Sequence, residues 1–382
     1  MSTTDVLVVG AGQAGLGTAY RLQRLGVRDL LVVDAGEVGQ SWLDRWDSLQ
    51  LFTPRRFSQL PGLRFPRGAT ASPSRAEMAG YLHDYARRWG LPVREQCPVR
   101  RLTRDGDGFC AETPAGPVRA RQVVVASGAF RRPYVPAAAR DLAVPQLHSA
   151  DYRTPDDVPP GRVLVVGGGN SAAQLAVELS ATHDVTVASA REPRYLPARV
   201  LGVSLFDWLL VSGVLNADRD RPLARRIRAR GDAVVGRELD RLRRQGAVRV
   251  LPHRVVSAAG DRVGLSDGST EPVASVLWCT GFAPDTGWVD VPGALDDDGA
   301  PRHHRGASPV PGLHWMGLPW QTRVNSGLVD GVDRDAGRTA LRIRRALTGS
   351  PEDADQAVHI RARGSAAEGR AVSPSVGTSD PA

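Results

Sequence analysis

Short apolar runs alternate with amphipathic stretches along most of the chain, with glycine-rich turns between them. Asp5 to Val9 is an apolar run followed at once by Gly10, Gly12 and Gly15, with Gln13 and Ala14 inside the turn. An amphipathic stretch, Leu16 to Leu25, comes next and closes at Gly26. A change of hydrophobic period across a glycine turn predicts strand, tight turn, helix. A further apolar run, Leu30 to Val33, ends at Asp34, about twenty residues after the turn, as a dinucleotide-binding βαβ unit requires. The first glycine of such a unit permits the turn and the second lets a pyrophosphate approach the backbone. The third lets helix and strand pack closely, while helix N-terminal amides hold the phosphates and Asp34 accepts ribose hydroxyls.

The same pattern occurs a second time. Arg162 to Val166 is a β-rich run that enters Gly167, Gly168, Gly169, Asn170, Ser171 and Ala172, where alanine replaces the third glycine. A helical stretch, Ala173 to Ala181, leads to a strand over Val185 to Ala188. This strand ends in Ser189, Ala190 and Arg191, without an acid for a ribose 2′-hydroxyl and with a guanidinium for a 2′-phosphate, which favours NADPH over NADH. Two further strands end in small residues: Gln122 to Val125 leads to Ala126, Ser127 and Gly128, and Ser275 to Trp278 leads to Cys279, Thr280 and Gly281. Small residues there admit close backbone approach where the chain crosses between two nucleotide-binding units. The fold class expected is α/β, with two interleaved Rossmann-like dinucleotide-binding domains. Residues 1–153 and 280–348 form the first, 155–278 form an inserted second, and a disordered tail runs over 349–382, where Ser, Ala, Gly, Pro and charges dominate.

Composition narrows the chemistry. With 382 residues, 42% hydrophobic and 24% charged, the chain has the balance of a globular protein with two packed units. All 49 basic residues against 41 acids are arginine, giving a net charge of +8. Without lysine the chain forms no Schiff base on its own side chains and lacks the lysine of a nucleotide-triphosphate P-loop. Cys97, Cys110 and Cys279 are far apart and none lies in a CxxC, which disfavours a disulfide framework and a dithiol redox centre. Basic residues are spread among acids apart from Arg219 to Arg244, so a nucleic-acid partner is not expected, and no clustered His/Cys pattern points to a metal. The most apolar stretch, Val200 to Leu215, is shorter than the roughly 20 residues of a membrane span and contains Asp207. It reads as a buried helix, a dimer contact or a lid. Asp207 and a lack of flanking bases on one face argue against a peripheral membrane helix. Neither a signal peptide nor stable membrane insertion is expected, and the expected compartment is the cytoplasm.

The two fingerprints, their order and several local strings resemble the flavin-containing monooxygenases, most closely their short bacterial and plant auxin-forming branch, over most of Asp5 to Ala346. The strings include Gly10 to Gly15 and the segment Gly39, Gln40, Ser41, Trp42, Arg45, Trp46, Asp47, Ser48, Leu49, which looks like the family's stretch along FAD. Phe65 and Pro66, then Tyr81, Leu82, Tyr85 and Ala86, follow in family order. Later come Gly167 to Ala172, Thr280 to Phe282, and a closing segment from Gly317 through Trp320, Arg323, Ser326 and Gly331 to Ala336. Of the family's linker signature FxGxxxHSxxY the chain keeps His148, Ser149 and Tyr152, while Leu142 and Val144 stand where Phe and Gly belong. The closing tyrosine leans away from the Baeyer–Villiger branch.

The resemblance implies FAD and NADPH as cofactors. It also implies insertion of one oxygen atom from O2 into a small-molecule substrate by N- or S-oxygenation or a related oxidation, through a flavin C4a-hydroperoxide. The cofactor supplies the reactivity in such chemistry, so no catalytic side chain is assigned. Two alternatives stay open: a reductase passing electrons from the nicotinamide through the flavin to a partner protein, and a redox sensor that binds both cofactors without turnover. A homodimer is also left open.

Overall fold

The computed structural model describes residues 2–349. Gly349, in the left-handed region at φ 70°, ends the last helix, and the rest of the expected tail lies outside the described residues. The elements that place the site are, in chain order, β1 (Ser2–Val9), α1 (Gln13–Arg24), β2 (Leu30–Val33), β3 (Val118–Val125), β4 (Arg162–Val166), α2 (Asn170–Leu179), β5 (Asp184–Ala188), α3 (Leu205–Val211), β6 (Ser275–Trp278), β7 (Leu313–Trp315) and α4 (Val332–Thr348). Both helices that follow a fingerprint begin inside it, at Gln13 and Asn170, three residues earlier than periodicity alone predicts.

The first sheet has a parallel core in which β2 lies beside β1, β1 beside β3 and β3 beside β7. An antiparallel hairpin, Arg101–Asp105 with Gly108–Glu112, extends it along the edge of β3 opposite β1, pairing at the start of β3 where β7 pairs at its end. The second sheet is parallel throughout, with β4 between β5 and β6, Val248–Leu251 beyond β5 and Gln146–His148 beyond β6. Gln146–His148, grouped with the first unit on sequence, is thus an edge strand of the second. Its neighbour Leu142 also joins that unit's core, so the first crossing is complete well before Arg153.

Both sheets are buried on two faces, which explains why their strands read as continuous apolar runs rather than alternating ones. Val6, Val8 and Val32 pack under α1, the helix Arg75–Arg88 and α4, while Leu7, Val9 and Val33 face the other way onto Leu102, Phe109 and Trp315. Val163, Val165 and Val185 likewise face α2, and Leu164, Val166 and Trp278 meet an antiparallel layer built from Val255–Ala259 and Arg262–Leu265. Trp315 is a core residue at 1% exposure.

Val200 to Leu215 is not one helix. Gly202 and Gly213 both take positive φ, at 77° and 73°, and they divide the stretch into a hairpin, Arg199–Val200 with Val203–Ser204, and the two-turn α3. Phe206 and Leu215 are buried, whereas Leu201, Trp208 and Val211 are exposed, so the expectation of a buried helix holds for one face only.

Candidate functional site: two matched nucleotide cradles

Register aligns the carboxyl ends of the strands in each sheet. Val9 pairs with Val33 and Val125, and Val125 with Trp315, so Asp34, Gly10, Ala126 and Met316 follow their strands at one level. In the second sheet Val166 pairs with Ala188 and Trp278, and Trp278 with His148, which brings Ser189, Gly167, Cys279 and Ser149 to one level. Ligands of open α/β sheets bind on such crests, where strand order reverses.

The two crests are built alike. A Cβ on Gly10 would stand 2.3 Å from the Ala126 carbonyl oxygen, and one on Gly167 would stand 2.4 Å from that of Cys279. Gly10 at φ 111° and Gly167 at φ 149° take backbone conformations that L side chains rarely adopt. Gly15 closes the first turn, since a Cβ there would lie 1.8 Å from the Gly10 carbonyl oxygen. Gly12 and Gly169 differ: a Cβ on either meets nothing within 4 Å. Each is the N-cap of its helix, neither helix has a side-chain cap, and neither carries an acid in its first turn. The helix Arg75–Arg88, by contrast, begins with a Ser74–Glu77 capping box. The chain thus leaves two positive N-termini open above glycines whose missing side chains leave space, which is how a helix end receives phosphate. The residues present fit a dinucleotide on each crest.

The side chains around the cradles have distinct jobs. Asp34 accepts from the backbone N–H of Ala11 at 2.6 Å and of Gly36 at 2.9 Å, so its carboxylate is fixed beside the first turn with lone pairs left for a ribose. Gln13 and Ala14 form the first turn of α1, and Ala14 is buried against Gly317 of the closing segment. Asn170 serves structure: its amide donates to the Ala233 carbonyl at 3.2 Å and its oxygen accepts from the Val235 N–H at 2.9 Å, pinning that segment to the second cradle. Ser171 is partly exposed on the first turn of α2 and Ala172 is buried beneath it. Arg191 is exposed past the end of β5, with its carbonyl held by the Ser189 hydroxyl at 2.6 Å, and its guanidinium makes no ion pair among the described residues.

The segment expected along FAD joins the two units. Gly39 takes φ 89° and packs against Ala79, where a Cβ would lie 2.8 Å from the Ala79 carbonyl oxygen. Gln40 donates to Asp44 at 2.6 Å, and Trp42 packs against both cores. Trp46 and Leu49 belong to the core of the second unit, which nothing in the local sequence signals. Arg45 donates to the Phe130 carbonyl at 3.0 Å and lies 5.0 Å from the centre of the Phe282 ring, between the two crossings. In the closing segment the Ser326 hydroxyl accepts from the N–H groups of Thr322 and Arg323, both at 3.0 Å, so it shapes the turn itself.

The crossings run side by side, since Arg132–Pro133 pairs antiparallel with Phe282–Ala283. Ser127 and Gly128 start one crossing and Gly281 starts the return, with Gly128 at φ 85° and Gly281 at φ 83°. His148 fastens them: its Nδ1 accepts from the Ala150 N–H at 3.1 Å, so Nε2 carries the proton and donates to the Gly281 carbonyl at 3.1 Å. Burial pushes its pKa below the ordinary value, and the ring stays neutral. Tyr152 is fully buried and its hydroxyl donates to Glu178 of α2 at 3.0 Å. His148 and Tyr152 of the linker signature thus both have structural partners. Cys279 is partly buried, desolvation pushes its thiol up to about 12, and all three cysteines are free of disulfides.

A third link between the units was not visible in sequence. Arg305 makes bidentate contact with Asp218 at 2.7 and 2.9 Å and reaches Asp220 at 2.8 Å. The N–H of Val324 donates to the Ala217 carbonyl at 3.2 Å beside it. These pairs strap the arm that follows α3 onto the closing segment.

Comparison with known proteins agrees with this geometry. The pattern of the pyridine nucleotide-disulphide oxidoreductase family matches residues 7–199. The chain is 40% identical over 334 residues to an uncharacterized CzcO-like oxidoreductase of Geobacillus kaustophilus, covering 87% of this chain and 96% of that protein. It is 27% identical to the indole-3-pyruvate monooxygenase YUCCA8 of rice, Oryza sativa subsp. indica, over 77% of this chain and 78% of that one. Among solved structures it resembles a flavin-containing monooxygenase from Stenotrophomonas maltophilia, with a TM-score of 0.76, 27% identity, and coverage of 91% of this chain and all of that chain. With two matched cradles on an interleaved α/β frame and these relatives along nearly its whole described length, the chain belongs to the flavin-containing monooxygenase family of flavoproteins, whose cofactors are FAD and NADPH.

Proposed function

We propose that the protein is an FAD- and NADPH-dependent monooxygenase that inserts one oxygen atom into a small molecule. In balance, substrate, O2, NADPH and a proton give oxygenated substrate, water and NADP⁺. The observation that carries this reading is the pair of open, uncapped helix N-termini over Gly12 and Gly169, in a chain none of whose three cysteines lies in a CxxC. FAD is assigned to the first crest, along Gly10, Gly12, Gly15 and Asp34, the segment Gly39 to Leu49, Ser127, Gly128, Gly281 and the closing turn at Ser326. NADPH is assigned to the second, along Gly167 to Ala172, with Arg191 for the 2′-phosphate.

Bound FAD would supply the oxygen chemistry and bound NADPH the hydride. The chain's own task is to bind, orient and exclude water. The α1 and α2 termini hold phosphates, and Asp34 orients a ribose. The paired crossings with His148 fix how the two crests face each other, and Trp42, Trp46 and Leu49 fill the junction with apolar side chains that keep water out.

The test is to load the purified protein with FAD, add NADPH under ¹⁸O2 and screen small amines and thioethers. One labelled oxygen per product and one NADPH oxidised per product are the expected results. NADPH oxidation that yields only hydrogen peroxide with every compound would make the protein an oxidase. Oxidation that continues without oxygen when a partner protein is added would make it a reductase.

A further inference from the structure

The most exposed large hydrophobic residues among those described lie in one short stretch. Leu201, at the tip of the hairpin Arg199 to Ser204, is 90% exposed, and Val211 on α3 is 84% exposed. They form one surface with Trp208, because the Trp208 indole N–H donates to the Val200 carbonyl at 3.2 Å and Val211 lies one helical turn beyond Trp208. The face opposite is anchored, with Phe206 buried against Phe57 at 5.5 Å between ring centres.

Charge decides what fits this surface. The Arg199 guanidinium is held at the hairpin tip by the Gly202 carbonyl. Asp207, the acid that on sequence argued against a lipid contact, is paired with Arg56 and only 22% exposed. Residues 199–230 contain seven arginines and three aspartates, and each aspartate has an arginine partner. Arg221, Arg225, Arg226, Arg228 and Arg230 make no ion pair among the described residues. The arm is therefore basic with its acids paired, and Asp207 is no longer a free charge against a lipid contact. A second copy docking on the same patch by two-fold symmetry would set Arg199 and its basic arm against their own copies. The patch is also far smaller than the roughly 20–30 residues a side of a stable dimer.

We infer that the hairpin tip and outer face of α3 form a peripheral docking surface for an anionic lipid bilayer. Leu201, Trp208 and Val211 enter the headgroup boundary, and Arg199 with the arm's unpaired arginines meets the lipid phosphates. No helix of the described residues is long and apolar enough to cross a membrane, so the contact is shallow and reversible.

The experiment is co-sedimentation of the FAD-loaded full chain with vesicles of equal parts phosphatidylcholine and phosphatidylglycerol, beside vesicles of phosphatidylcholine alone. Binding to the anionic vesicles is expected to exceed binding to neutral ones by about tenfold, and to fall as salt shortens the Debye length. The Leu201→Asp/Val211→Asp variant, altered only at exposed positions, is expected to keep its melting temperature and flavin spectrum and to lose about tenfold in vesicle binding. Trp208 fluorescence, read as the difference from Trp208→Phe, should be quenched by brominated lipid. Absent binding, equal binding to neutral vesicles, or undiminished binding of the double variant would overturn the inference. A dimer formed without lipid and abolished by the same double variant would assign the surface to a second copy instead. None of these outcomes depends on turnover, so they are separable from failure of the monooxygenase reading.

Discussion

A Cβ on Gly167 would stand 2.4 Å from the carbonyl oxygen of Cys279. That contact fixes how closely the second glycine turn approaches the strand where the chain returns to the first unit. Gly167→Ala forces either the turn or the return crossing to move, on top of a strained φ. A loss of about 1–3 kcal/mol is expected, read as a lower melting temperature of the apoprotein. An unchanged melting temperature would show that the crest relaxes freely.

Gly12 predicts the opposite. A side chain there meets open space, and Asp is among the best N-caps. Gly12→Asp is expected to leave apoprotein stability unchanged or raise it by about 0.5–1 kcal/mol, while a fixed negative charge occupies the phosphate position and weakens FAD binding by about 100-fold or more. Fluorescence titration of the apoprotein with FAD measures one effect and thermal melting the other. Undiminished FAD affinity would move the pyrophosphate away from α1.

Cofactor choice rests on Arg191, exposed past the end of β5. Arg191→Ala is expected to raise the NADPH KM by about 10- to 100-fold and to leave the NADH KM within about twofold, because only the 2′-phosphate distinguishes the two. Parallel loss with both nucleotides would assign Arg191 to a shared part of the ligand.

Glycine positions and strand ends were legible in sequence because backbone sterics act locally: Gly10, Gly15 and Gly167 could be read one at a time. So could the crossings at Ala126 to Gly128 and Cys279 to Gly281, as small residues ending apolar runs. Trp46 was legible as part of a family string, but not as a residue of the second unit's core, since a hydrophobic residue carries no mark of which core it joins. Asn170 sits in a fingerprint and yet holds Val235, 65 residues away, a pairing no periodicity encodes. Arg305 and Asp218 are 87 residues apart and equally silent. Val200 to Leu215 misled for another reason: mean apolarity dominated, although Gly202 and Gly213 stood in plain view as breaks.

Asp330 makes stability depend on pH. Burial raises its carboxyl from an ordinary 3.8 to about 6, against a weaker opposing contact from the Asn325 amide at 3.3 Å. The folded protein then holds this proton more tightly than the unfolded chain. Folding is therefore favoured below pH ~4, loses stability as pH rises from about 4 to 6, and stays lower above. The full effect is at most about 3 kcal/mol. Asp330→Asn removes the titration. Denaturant unfolding of apoprotein should show the variant gaining about 1–3 kcal/mol over the parent at pH ~8 and no difference due to this group at pH ~4. Equal gains at both values would mean that packing, not ionisation, sets the change.

The strap between Arg305 and the arm after α3 also joins the units, and it differs from the crossings in being made of side chains. Its guanidinium is 23% exposed and fully paired with Asp218 and Asp220, so Arg305→Met deletes both ion pairs while keeping much of the apolar stem. The backbone bonds beside it, Val324 N–H to Ala217 and Arg219 N–H to Thr322, then lose their neighbour. Their amides are expected to exchange about tenfold faster, as a local opening of about 1.4 kcal/mol lower free energy gives, while those of β1 and β4 keep their protection. Hydrogen exchange with mass spectrometry resolves these peptides. Unchanged exchange at Arg219 and Val324 would mean that the crossings and Phe206 hold the arm without the strap. Faster exchange throughout both sheets would mean that Arg305 supports global stability rather than this joint.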